Sequence, residues 1–255
     1  MNSYHQLRQT CLANATREFN ARGKSVVRCQ ICQLSIKACL CHWRPETTIS
    51  CEFILLMHRE ELFKPTNTGR LIADIFPQQT QAFCWQRIEP DAGLISILND
   101  PQRINLLVFP DDSVESPKPS SRPETVTIDD AFAQSHQNKI ITFILLDGTW
   151  KQSGRMFHLS RWLDNIPCVY LPDVTTKSYA VRKSHQDNYV STAEAAAVCL
   201  DLMGETHSAH LLRNYFHLFN VHYLATRGGY TPEITAIHSD LLAFIEASEI
   251  ITVSK

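Results

Sequence analysis

Four short stretches of this chain carry residue types that do chemistry. The first is Asp147-Gly148-Thr149-Trp150, which follows directly on the apolar run Ile140–Leu146. An unbroken apolar and β-branched run of that length describes a strand buried on both faces, the kind found in parallel sheets covered by helices. A carboxylate at the carboxyl end of such a strand stands where open α/β sheets bind ligands, because the loops splay there and the next helix offers free N–H groups. The same residues also fit a plain turn with a helix cap. The second stretch is Asn67-Thr68-Gly69-Arg70, which opens a helix after the strand Cys51–Met57 and its terminal His58. The third is Ser191-Thr192-Ala193-Glu194-Ala195, with a hydroxyl at the cap and a carboxylate in the first turn, beside the positive end of the helix dipole. In both, helix capping and ligand binding stand side by side as readings.

The fourth stretch is Cys29-Gln-Ile-Cys32, followed after six residues by Cys39-Leu-Cys41-His42-Trp43. Two thiolate pairs on short loops can close a tetrahedron around zinc, and such knuckles stabilise segments too small to have a core of their own. The C-x-C half is tighter than the usual C-x-x-C. Reduced surface thiols are the alternative. His42 is read as a neighbour, since four cysteines already fill the shell. Cys11, Cys51, Cys84, Cys168 and Cys199 sit in apolar or helical surroundings and read as ordinary thiols.

These residues need a scaffold, and 255 residues suffice for one large or two modest domains. The 24 basic and 26 acidic side chains leave a net charge of -2, which excludes a global basic field and requires any nucleic-acid contact to use a local patch. No apolar run is long enough to span a membrane, and the start MNSYHQLRQT lacks the apolar core of a signal peptide, so a soluble cytoplasmic protein is expected. Strands are expected at 51–57, 81–88, 104–109, 140–146 and 167–171. Helices are expected after Asn67, over 128–137, after Thr149, from Ser191 to about Met203, over 209–226 and over 232–247, with 6–22 as helix or arm. The segment 113–127 is Pro- and Ser-rich and reads as a loop. Thr175–Tyr189 interleaves Lys177, Arg182, Lys183 and His185 with Tyr179 and Tyr189, a pattern that suits a nucleic-acid backbone with stacked bases and also suits a solvated loop. The histidines of 207–222 lie too variously around their helix for a metal site.

The four stretches occur in the order found in the DTW-domain family, which this chain resembles over nearly its whole length. The resemblance rests on the cysteine cluster, His58, Asn67-Thr68-Gly69-Arg70-Leu71, the Asp147–Trp150 tetrad running into Lys151-Gln152, and Ser191-Thr192-x-Glu194-Ala195. Arg59, Ser153 and Ala193 depart from its pattern, at positions that affect packing rather than a reactive group. The resemblance implies an α/β, SPOUT-like fold with a mostly parallel sheet, flanking helices and a carboxyl-terminal trefoil knot, preceded by a small zinc knuckle. It divides the chain into an arm and knuckle (1–48) and a catalytic domain (49–255). It also implies a tRNA-uridine aminocarboxypropyltransferase, which moves the 3-amino-3-carboxypropyl group of S-adenosylmethionine to a uridine ring nitrogen and releases methylthioadenosine.

That reaction assigns roles to the residues. Asp147 is the candidate to take the uridine proton, and Trp150 offers a flat face to adenine, uracil or the sulfonium. Thr149, Ser191, Thr192, Glu194, Asn67 and Thr68 are candidate contacts to the co-substrate. Lys151, Arg155, Arg182, Lys183 and Arg70 are candidate phosphate contacts to tRNA. Cys29, Cys32, Cys39 and Cys41 are the candidate zinc ligands. No obligate protein partner is evident, and no oligomeric state is assigned. The competing readings are a SPOUT-type RNA methyltransferase using the same co-substrate, and a non-catalytic zinc-knuckle RNA-binding protein.

Overall fold

A computed structural model of the chain describes residues 1–15, 25–109, 125–129, 132, 138–169, 171 and 190–253. In chain order these give helix α1 (Ser3–Ala13), strand β1 (Glu52–Met57), helix α2 (Gly69–Ile75), strand β2 (Thr80–Cys84), helix α3 (Ala92–Leu98), strand β3 (Arg103–Val108) and strand β4 (Ile140–Asp147). Helices α4 (Trp150–Leu159), α5 (Thr192–Leu202), α6 (Thr206–Gly228) and α7 (Ala236–Val253) follow. Most of the expected helix over 128–137, most of the 113–127 segment and all of 175–189 lie outside the described residues.

The four strands form one parallel sheet in the order β2-β1-β4-β3. Every residue of β4 after Ile140 is buried, as a strand covered on both faces requires. Alternation sorts the side chains into two layers. Phe53, Leu55 and Met57 of β1 and Phe143 and Leu145 of β4 pack with α2, α5 and α6, whereas Ile54, Leu56, Ile144 and Leu146 pack with Leu94 of α3 and Met156 and Phe157 of α4. Phe53 and Phe143 lie side by side in register, their rings stacked 5.8 Å apart. Two expected strands are shorter than the sequence implies. β2 stops at Cys84, where the Trp85 N–H still donates to the Met57 carbonyl while Arg87 and Ile88 are exposed. Among the described residues of 167–171, Cys168 and Val169 pair through single parallel bridges to Leu107 and Val126. Helix α3 was not anticipated, although Asp91 caps it by accepting from the Gly93 and Leu94 N–H groups.

The amino-terminal segment and the cysteine loop belong to the same core as the sheet. Tyr4, Cys32, Leu34 and Leu40 are buried against it, and the Tyr4 hydroxyl donates to the Leu62 carbonyl at 3.0 Å. The loop is also tied to α6, since Thr226 Oγ1 accepts from the Ser35 N–H at 3.1 Å and His222 Nδ1 lies 3.1 Å from the Ala38 carbonyl. His222 and His238 then meet Nε2 to Nε2 at 3.1 Å, and His238 Nδ1 accepts from the Thr235 N–H. These partners fix the tautomers: His222 carries its proton on Nδ1 for the carbonyl, and His238 carries its own on Nε2, donating to His222. With both rings neutral every ring nitrogen is satisfied, and a further proton sets N–H against N–H. Burial accordingly lowers the pKa of each histidine.

A pH dependence follows. Unfolded histidine takes up a proton near 6.5, whereas the folded pair resists it, so the unfolded chain binds more protons below that value. The pair's contribution to stability is full above about pH 6.5 and declines as the pH falls through it toward the lowered folded values. Urea unfolding at pH 7.5 and 5.5 is expected to show a smaller loss on acidification in His222→Gln than in the wild-type chain. Equal losses would mean that the pair does not sense protons.

No helix among the described residues is long and apolar enough to cross a membrane.

Candidate active site

The strands β1 and β4 are neighbours in register, Met57 opposite Asp147, and the His58 N–H donates to the Asp147 carbonyl at 2.8 Å. Beyond these ends the chain parts. After β1 it passes to the β2 side of the sheet, and after β4 it passes to the β3 side, where Cys168 bridges Leu107. Such a divergence opens a crevice at the carboxyl ends of parallel strands.

Asp147 organises that crevice. It is 4% exposed, its Oδ2 accepts from Asn67 Nδ2 at 2.8 Å, and its Oδ1 accepts from Thr192 Oγ1 at 3.1 Å. One carboxylate thus clasps the turn before α2 to the start of α5, across 80 residues of chain on one side and 45 on the other. Asn67 also accepts the Arg70 N–H on its Oδ1 at 3.0 Å, so it caps α2 while reaching Asp147. Gly69 is required by this closeness, since a Cβ there would stand 2.1 Å from Asp147 Oδ2.

Two helix starts frame the crevice, and each is closed by a capping box. Thr149 Oγ1 accepts from the Gln152 N–H while Gln152 Oε1 accepts from the Thr149 N–H at 2.8 Å. Ser191 Oγ accepts from the Glu194 N–H at 3.3 Å while Glu194 Oε2 accepts from the Ser191 N–H at 2.9 Å. Gln152 Nε2 further donates to Glu60 Oε2 at 2.9 Å, binding α4 to the loop after β1. Between the two helix starts lies a cavity of about 130 Å³. Its floor is Val108, Phe109, Leu145 and Leu146 at the ends of β3 and β4, and Trp150, Ser153, Ser191, Thr192 and Ala195 line its walls. Trp150 is half-buried with its ring centroid 6.4 Å from that of Phe109, which in turn stacks on Phe157 at 4.2 Å.

Behind α2, the sulfurs of Cys29, Cys32, Cys39 and Cys41 all lie within 4.8 Å of one another. A tetrahedron of Zn–S bonds of about 2.3 Å has S···S edges near 3.8 Å, and the Cys29–Cys41 and Cys32–Cys39 pairs are both 3.7 Å apart. The donor set therefore fits a zinc ion. The Cys32 thiol is held well below its usual range, first by the hydrogen bond from Cys41 and also by the charge of Arg70. His42 is exposed and stands outside the cluster.

The sequence model of the DTW domain matches residues 26–224, from the knuckle to the last turn but one of α6. The chain belongs to the DTW-domain family. It is 25% identical over 182 residues to tRNA-uridine aminocarboxypropyltransferase 2 of Drosophila melanogaster, covering 69% of this chain and 66% of that one. It is 25% identical over 183 residues to the protein of the same name from Macaca fascicularis, covering 69% of this chain and 56% of that one. The matched region thus spans under two thirds of the length of either relative. No solved structure gives a significant match.

Within this DTW-domain chain the structure brings together Asn67, Asp147, Thr149, Trp150, Ser191, Thr192 and Glu194. Thr149, Ser191 and Glu194 use their side chains in caps, and Trp150, Ser191 and Thr192 face the cavity. Thr68 is buried beside Asn67 and makes no side-chain cap. Lys151 and Arg155 are exposed, one turn apart on α4. Arg182 and Lys183 lie outside the described residues. Arg70 corrects an expectation. It is wholly buried, with its guanidinium bonded to the Cys32 carbonyl and set 5.1 Å over the Phe219 ring, so it presents no charge to a phosphate. The sequence reading missed Phe109 and Ser153 on the cavity, and Trp85, whose ring stacks on His58 and whose Nε1 donates to Ser160. Phe109 directly follows β3, beside the end of β4 at Asp147, and the same strand-end logic points to it.

Proposed function

We propose that this DTW-domain chain is a tRNA-uridine aminocarboxypropyltransferase that uses S-adenosylmethionine. The observation that carries the reading is the cavity between the ends of β3 and β4 and the start of α5, with an apolar floor, an indole wall and a hydroxyl rim. A nucleoside sulfonium asks for such surroundings: a flat face for the base, a π-surface for the positive sulfur and helix-start N–H groups for a carboxylate. Trp150 provides the first two, and the opening turns of α4 and α5 provide the third. S-adenosylmethionine supplies the aminocarboxypropyl group, whose carbon–sulfur bond breaks as the bond to the uridine nitrogen forms, leaving methylthioadenosine. The protein's task is to present the methylene, rather than the methyl, in line with that nitrogen.

In this reading Asp147 is a positioning residue. Both of its oxygens already accept from side chains of other elements, and it is almost without exposure, so it holds the Thr192 rim in place while the uridine proton passes to solvent. This differs from the proton acceptor expected from the sequence. The reading extends to a SPOUT-like topology with a carboxyl-terminal knot, to a knuckle segment (1–48) serving a catalytic domain (49–255), and to zinc held by Cys29, Cys32, Cys39 and Cys41.

Incubation with S-adenosylmethionine and unmodified tRNA is expected to yield methylthioadenosine and an aminocarboxypropyl-uridine by mass analysis. S-adenosylhomocysteine as the by-product would replace this reading with methyl transfer, and tRNA binding without turnover would make the chain a simple binder. Lys151 and Arg155 are the phosphate contacts on the described surface, with Arg182 and Lys183 proposed beside them. Lys151→Ala/Arg155→Ala is expected to reduce the slope of log affinity for tRNA against log salt by about 1–2. An unchanged slope would place the tRNA on another face.

A further inference from the structure

Arg70 has no ordinary reason to be where it is. A fully buried guanidinium is costly unless its charge and its N–H groups are met. Here one Nη1–H is spent on the Cys32 carbonyl and one face lies over Phe219, but Nε and Nη2 have no hydrogen-bond partner among the described residues. The carbonyl it binds belongs to one of the four clustered cysteines, and its charge acts on the Cys32 sulfur. Four thiolates around a zinc ion leave a net negative charge, and a cation sealed against that charge is stabilised rather than stranded.

The backbone of the same residue enters the cavity's support. The Arg70 N–H is held by Asn67 Oδ1, Asn67 Nδ2 holds Asp147, and Asp147 holds Thr192 on the cavity wall. A continuous series of contacts therefore runs from the knuckle carbonyl at Cys32 through α2 to the start of α5.

Resting on the reading of the cavity as the S-adenosylmethionine site, we infer that Arg70 is a positioning residue that couples the metal-loaded knuckle to the cavity: knuckle charge fixes the guanidinium, the guanidinium fixes the first turn of α2, and that turn fixes Asp147 and Thr192. Metal bound at the knuckle then tightens a ligand site it does not touch. Coupling of this kind is reciprocal, so co-substrate binding in turn tightens metal binding at the knuckle.

The test uses the full chain, with its metal and after chelation, as wild type, Arg70→Met and Arg70→Lys. Three quantities are measured: zinc content, S-adenosylmethionine affinity by calorimetry, and amide hydrogen exchange over 67–70 and 191–195. Chelation of the wild type is expected to weaken co-substrate binding about tenfold and to speed exchange in both segments while β1 and β4 stay protected. Metal-loaded Arg70→Met is expected to show the same weakening and the same faster exchange, with little further change on chelation. Arg70→Lys, which keeps the charge, is expected to fall between Arg70→Met and wild type.

Unchanged exchange at 191–195 in metal-free wild type would overturn the inference. So would uniform loss of protection that includes the sheet, because the metal would then support the whole fold rather than this route. Wild-type affinity and exchange in Arg70→Met would overturn it as well. If Arg70→Met does not fold, the two wild-type samples decide. Absence of any S-adenosylmethionine binding to metal-loaded wild type would refute the proposed function, and the exchange measurement would still judge the coupling.

Discussion

Gly69→Ala is expected to lower the stability of the fold by about 1–3 kcal/mol and to weaken S-adenosylmethionine binding tenfold or more. Alanine is otherwise the better helix former by about 1 kcal/mol, so the sign rests on contact. The new Cβ would stand 2.1 Å from Asp147 Oδ2 and 3.1 Å from its Cγ. Asp147 is a short side chain at the end of a buried strand, gripped from both sides, and it cannot step aside without releasing Asn67 or Thr192. Urea unfolding and calorimetry read the two effects separately. If both stability and affinity stayed at wild-type values, the carboxylate would be free to swing and the clasp would have no mechanical role.

Asp147 itself gives the second large effect. Asp147→Ala strands two buried partners, the Asn67 amide and the Thr192 hydroxyl, at a cost of about 1–3 kcal/mol each, and co-substrate affinity is expected to collapse with them. Asp147→Asn is expected to be far milder. Its amide can turn its oxygen to Asn67 Nδ2 and its NH₂ to Thr192 Oγ1, which accepts as readily as it donates. Both contacts survive, so turnover is expected to stay within about tenfold of wild type. A loss of about a hundredfold with unchanged co-substrate affinity is the signature of a missing general base, and it would return Asp147 to the role of proton acceptor.

Much of the scaffold was legible in the chain because period and punctuation report local structure directly. The run Ile140–Leu146 became a covered central strand, and Asn67, Thr149 and Ser191 proved to be helix-start residues, Thr149 and Ser191 with full capping boxes. The cysteine spacing foretold the sulfur cluster, since two short loops can hardly avoid closing on each other. What escaped was set by long-range contact. Arg70 reads as a surface cation because nothing near it in sequence shows that Cys32, 38 residues earlier, and Phe219 will enclose it. The choice between ligand site and structural cap was misleading for Asn67, whose two amide atoms serve α2 and Asp147 at once. Strand β2 looked longer because Trp85 is apolar, yet its ring turns to His58 and its Nε1 to Ser160. The short helix α3 was hidden by its length, although Asp91 announces it.

The paired caps have a consequence for selectivity. Because Thr149 with Gln152, and Ser191 with Glu194, each complete their own helix start, the two walls of the cavity are fixed before any ligand arrives. Binding then loses little to the entropy of ordering loops, and the preorganised gap acts as a gauge. A three-carbon arm and a methyl group differ chiefly in reach, and a site with stiff walls can choose between them by shape alone.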